Sequence, residues 1–91
     1  MDELFEAVLL VGDRDEARRF FDDLCTVQEL QAMAQRFAVA RLLSEGEIFA
    51  RIREETGAST ATISRVNRAL RYGSDGYRLI LARVKEESRS G

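Results

Sequence analysis

The chain predicts an all-α domain of about six helices and no strand, on three observations. Apolar residues recur at three- and four-residue spacing along most of its length. Proline is absent, and the few glycines fall between the periodic segments. An apolar content of 45% with 33% charged residues suits an ordered helical domain better than a disordered tail. At 91 residues, 1–91 reads as a single domain. A chain this short buries only about 60–65% of its unfolded surface. Its own core is therefore thin, and a second copy of the chain would thicken it.

In order, Leu4, Phe5, Val8, Leu9 and Val11 form the stripe of a first amphipathic helix, which Gly12 is expected to end. Asp13 or Asp15 is expected to cap the second, with Ala17, Phe20, Phe21 and Leu24 on its buried face and Arg18 and Arg19 outside. Thr26-Val27-Gln28-Glu29 has the form of a capping box, in which Thr26 accepts from the amide of Glu29 and Glu29 reaches back. It opens the longest helix, where Leu30, Met33, Phe37, Ala40 and Leu43, widened by Val39 and Leu42, leave almost no polar face. Such a helix requires burial on most sides. Ser44-Glu45-Gly46-Glu47 breaks it, and Ile48 to Thr56 supplies the next helix. A fifth runs from Ser59 to Tyr72, Gly73-Ser74-Asp75-Gly76 breaks again, and Tyr77, Ile80, Leu81 and Val84 mark the last, which is expected to fray from Ser88 to Gly91.

The stretch from Thr56 to Arg71 is the most specific. Gly57 supplies a positive φ that ends one helix and admits a close approach to the next. Ser59 caps that next helix. Ile63, Val66 and Leu70 turn inward, leaving the short side chains of Thr60, Ala61, Thr62 and Ser64 on or near the opposite side. Arg65, Arg68 and Arg71 follow, where guanidinium groups suit the helix C-terminus and reach phosphates. This is the form of a helix-turn-helix, about residues 48–72, that enters a major groove of double-stranded DNA. A Gly turn, a Ser cap and a solvated arginine face also occur in helical hairpins that bind no DNA.

Charge divides along the chain. The net charge is −2, but residues 1–50 carry five basic and eleven acidic groups, and residues 51–91 carry nine basic and five acidic. A basic half on an acidic half is the footprint of a chain with one face toward phosphates.

Other classes find little support. With no histidine and one cysteine, Cys25, neither a catalytic base partner nor a metal set is visible, so no catalytic residue, metal or cofactor is expected. The apolar runs are too short for a bilayer. Asp2 and Glu3 stand where a secretory signal is basic, and a lone cysteine suits a reducing cytoplasm. The competing reading is a helical protein-interaction module whose arginine face meets an acidic partner.

The blocks Cys25-Thr26-Val27-Gln28-Glu29-Leu30, Gln35-Arg36-Phe37, Leu42-Leu43-Ser44-Glu45-Gly46, Thr56 through Leu70 and Tyr72-Gly73-Ser74-Asp75-Gly76-Tyr77 resemble the tryptophan repressor-like helix-turn-helix family, in particular its YerC/YecD type. The resemblance covers most of the chain. It implies an intertwined all-helical homodimer whose two reading helices enter successive major grooves of a roughly palindromic operator, with repression as the default mode. By position, Ser59, Thr60, Ala61, Thr62 and Ser64 match residues facing base edges or nearby phosphates, and Arg53 and Arg71 match phosphate contacts; Arg68 joins them as a basic residue of the same helix.

The family's tryptophan pocket uses a threonine and two arginines, matched by Thr26, Arg36 and Arg65. The small glycine and the serine that complete it are replaced by Val66 and Ala69. A β-branched side chain takes ligand space, and Ala69 removes a hydroxyl partner for an ammonium group. Tryptophan is therefore not expected as effector, and the effector is left unidentified. Without a pocket ligand, Arg36 and Arg65 are expected to pair with acidic neighbours.

Overall fold

The computed structural model describes residues 1–90; Gly91 lies outside them. Six helices follow one another: α1 Asp2–Leu9, α2 Arg14–Leu24, α3 Val27–Ser44, α4 Phe49–Thr56, α5 Thr60–Tyr72 and α6 Gly76–Ser90, with no strand among the described residues. They form two compact units, Met1–Gln31 and Ala32–Gly91.

In the first unit, the α1 to α2 junction departs from expectation. The helix gives way at Leu10, not Gly12, because the amides of Leu10 and Val11 turn back to the carbonyls of Ala7 and Val8, three residues behind. That tightened last turn satisfies two carbonyls without a left-handed residue. Gly12 belongs instead to the start of α2. Its amide donates to Glu16 Oε1 at 2.7 Å, while Asp13 Oδ1 accepts from the amide of Glu16 at 2.8 Å. The capping box forms as read: the Thr26 amide donates to Glu29 Oε1 (2.8 Å) and the Glu29 amide to Thr26 Oγ1 (3.1 Å). These bonds hold the Glu29 carboxyl below its usual range. The face expected on α2 is realised in part: Ala17, Phe20 and Phe21 are half-buried with Arg18 and Arg19 outside, Leu24 is 47% exposed, and neither α1 nor α2 contains a fully buried residue.

The second unit holds the core. Val39, Ala40 and Leu42 of α3 meet Ile52 of α4, Ala58 of the turn, and Ile63 and Val66 of α5; Leu43, Phe49, Tyr77 and Leu81 pack against this cluster. Gly46 takes the break after α3 at φ 86°. Ile48, read as the first residue of the fourth helix, stands outside it as the N-cap. Gly73 ends α5 for a different reason, since its φ is −85° but a Cβ there would collide with the carbonyl oxygen of Ala69. The residue at positive φ in that break is Asp75, at 66°. Helix α6 extends to Ser90, past the Ser88 from which fraying is expected, and Gly91 lies outside the described residues.

Candidate nucleic-acid interface

Helices α4 and α5 and the turn between them are held by short-range bonds that follow from residue type. Gly57 takes φ 72°, ψ 4°, and its amide closes on the carbonyl of Arg53 at 2.9 Å. Thr56 Oγ1 donates to the carbonyl of Ile52 (2.7 Å) and accepts from the amide of Ala58 (3.1 Å). Ala58 is buried, which pins the turn to the core. Ser59 Oγ accepts from the amide of Thr62 at 3.1 Å and donates to Thr62 Oγ1 at 3.0 Å. From α3, Gln35 Nε2 donates to the carbonyl of Thr56 at 3.1 Å.

This frame fixes what α5 presents. With Ile63 and Val66 in the core, Ser59, Thr60, Ala61 and Ser64 are exposed at its N-terminal end, as are Arg65, Arg68 and Arg71 beyond. Thr62 differs from expectation in being half-buried, its hydroxyl engaged by Ser59. Arg53 is exposed on α4.

The arginines of this unit fall into two groups. Arg41, Arg51 and Arg78 are taken by Glu45, Glu55 and Asp75 at 3.2, 2.8 and 3.7 Å. Glu55 and, less strongly, Glu47 push Arg51 further up. Arg53, Arg68 and Arg71 make no ion pair among the described residues. Arg71, which is exposed, is instead held through Nε by Asn67 Oδ1 at 3.2 Å, an i, i+4 pair that does not use its two terminal nitrogens. Asn67 and Gln35 carry no expected role of their own in the sequence beyond lying in blocks that bear the resemblance. Four-residue spacing signals the first, whereas the partner of Gln35 lies 21 positions away and leaves no local signature.

The residues matching the effector pocket are in part committed to other roles. The Thr26 hydroxyl already accepts the capping-box bond. Val66 is 1% exposed, a core residue. Arg36 is half-buried and Arg65 exposed, and neither makes the expected ion pair with an acidic neighbour among the described residues. Ala69 lines an open, largely apolar cleft of about 480 Å³ with Phe37, Ser74, Gly76, Tyr77 and Ile80, a lining that includes none of Arg36, Arg65 or Val66.

An all-α chain with a Gly-turned, Ser-capped helix pair and a carboxylate-free arginine set has the form of a helix-turn-helix protein. Residues 1–85 match the family profile described as Trp repressor protein, and the chain belongs to this family. The uncharacterized protein YerC of Bacillus subtilis (strain 168) is 57% identical over 86 residues, 94% of this chain and 83% of YerC. The crystal structure of a candidate Trp repressor from Staphylococcus aureus is 52% identical with a TM-score of 0.89, covering 92% of this chain and 84% of that one. A TrpR-like protein from Eubacterium eligens is 51% identical, also with a TM-score of 0.89, over 92% of this chain and 87% of its own. Family and fold are those of a DNA-binding regulatory protein and not of an enzyme family. No helix among the described residues is long and apolar enough to cross a membrane.

Proposed function

We propose that this protein is a cytoplasmic, homodimeric transcription regulator that represses by occupying a two-fold symmetric operator, and that tryptophan is not its effector. The observation that carries the reading is the composition of one surface: the short side chains of Ser59, Thr60, Ala61 and Ser64 beside arginines that no carboxylate neutralises. Thr and Ser hydroxyls bond several base edges, and Ala or Thr touches a thymine methyl, while Arg53, Arg68 and Arg71 take phosphates. An interaction module meeting an acidic protein has no need of short side chains at a helix tip. The second copy is supported by the absence of any buried residue in α1 and α2. The exclusion of tryptophan is supported by Val66, whose branched side chain fills core space that glycine leaves open. Saturable tryptophan binding in calorimetry overturns it.

The test is selection of bound duplexes from a random-sequence pool at physiological salt without added ligand. Recovery of a two-fold symmetric motif by a dimer is expected, with specific binding roughly a thousandfold or more above bulk DNA and a log-linear fall with salt. Recovery of no motif, with or without amino acids and related metabolites added, overturns it in favour of the interaction module.

A further inference from the structure

We infer that Gln35 is a positioning residue for base reading: its carboxamide fixes the turn between α4 and α5 to α3, and so sets where the tip of α5 stands. The inference rests on the DNA-reading function proposed above. The Thr56 carbonyl is among the last of α4, which have no partner inside the helix. Gln35 Nε2 satisfies it from α3 at 3.1 Å in a part-buried setting, and this bond spans more of the sequence than any other hydrogen bond described.

Its position in the turn gives the bond its effect. Thr56 is the residue whose hydroxyl bridges Ile52 and Ala58, and Ser59, the cap of α5, follows three residues later. The other attachment to α3 is apolar contact through Ile52, Ala58, Ile63 and Val66, which is non-directional and tolerates small slips. A hydrogen bond weakens steeply with angle and distance. It therefore defines a register that the apolar contacts leave loose. Base-edge contacts from side chains as short as Ser59, Thr60 and Ser64 depend on that register, whereas long arginines reach phosphates across a range of positions.

The test is Gln35→Met, close in volume but without a donor. Two readouts are taken: amide hydrogen exchange in the free protein, and affinity for the selected duplex against a scrambled duplex of equal length. Exchange at Ala58 and Thr62 is expected to accelerate. The selected-to-scrambled affinity ratio is expected to fall roughly three- to tenfold, the equivalent of one hydrogen bond, with scrambled-duplex affinity and salt slope unchanged. Restoring the donor with Gln35→Lys recovers the ratio, though its added charge raises affinity for both duplexes. Equal losses on both duplexes, or an unchanged ratio with accelerated exchange, overturn the positioning role alone. A wild-type protein that prefers no duplex overturns the underlying function, while the exchange readout still reports whether the bond holds the turn.

Discussion

Replacing Ser59 by alanine and by aspartate separates the folding of the reading helix from its encounter with DNA. Ser59→Ala removes an acceptor from the Thr62 amide (3.1 Å) and the hydroxyl pairing with Thr62 Oγ1 (3.0 Å). Loss of a Ser cap costs about 1 kcal/mol. For a domain of this size that lowers Tm by about 4–8 °C. Ser59→Asp keeps an acceptor of equal capping strength, and its charge suits the positive end of the helix. Its Tm is expected to equal that of the wild type or exceed it. On DNA the order reverses. A carboxylate about 6 Å from a phosphate in water adds about 0.7 kcal/mol of repulsion. Over the two reading helices of the proposed dimer this doubles, or about tenfold in affinity at low salt. Thermal melts by circular dichroism and anisotropy titrations with the selected duplex at two salt concentrations measure both effects. Ser59→Asp melting as low as Ser59→Ala refutes the capping argument; Ser59→Asp binding DNA like the wild type refutes the placement of Ser59 against phosphates.

Gly73→Ala is expected to cost about 2 kcal/mol, because its Cβ meets the Ala69 carbonyl and backbone must move. Gly57→Asn is expected to stay within about 0.5 kcal/mol in denaturant unfolding, as nothing lies within 4 Å of a Cβ there and asparagine tolerates φ 72°. Arg71→Ala is expected to weaken binding to all duplexes alike and to lower the magnitude of the salt slope by about 0.9 per reading helix, whereas Thr60→Ala relaxes sequence preference; equal effects of both on all sequences refute these roles. The Glu29 carboxyl, held low in the folded chain by Thr26, contributes stability that is fully present above the unfolded carboxylate pKa of about 4.3 and is lost as pH falls through the folded value. Glu29→Gln is therefore expected to flatten the acid limb of stability below about pH 5.

What could be read before the structure was local. The capping box at Thr26, the Ser59 cap, the left-handed Gly57 and the periodicity of α5 all depend on residues within four positions of one another, and each forms as expected. The departures from expectation involve competition between neighbours. Gly12 has the residue type of a helix stop, yet the carbonyls of Ala7 and Val8 are satisfied before the chain reaches it, and Glu16 claims its amide. Thr62 has the right spacing to point outward, but its hydroxyl is drawn to the cap. The bond from Gln35 to the turn was not legible, because no pattern couples positions 35 and 56 until three helices have packed.

The proposed second copy gives the first unit its most demanding test. In the single chain Leu9 is 82% and Leu10 83% exposed, Phe5 is 57% exposed, and α1 and α2 bury nothing fully. Ordering backbone costs about 1–2 kcal/mol per residue, a cost met chiefly by burial of apolar surface. Covering one leucine returns about 1.5–3 kcal/mol, so α1 and α2 are held only if another surface covers them. Leu9→Lys tests this without disturbing the helix, because a cation in its last turn favours α1 on its own. If Leu9 stays in water, the change moves stability by less than about 0.5 kcal/mol. If a second copy covers it, the loss is taken twice per dimer, about 3–6 kcal/mol, and dimer dissociation shifts by at least two orders of magnitude. Sedimentation equilibrium over a range of concentrations reads that shift. Wild-type mass and Tm in Leu9→Lys would place Leu9 outside any interface.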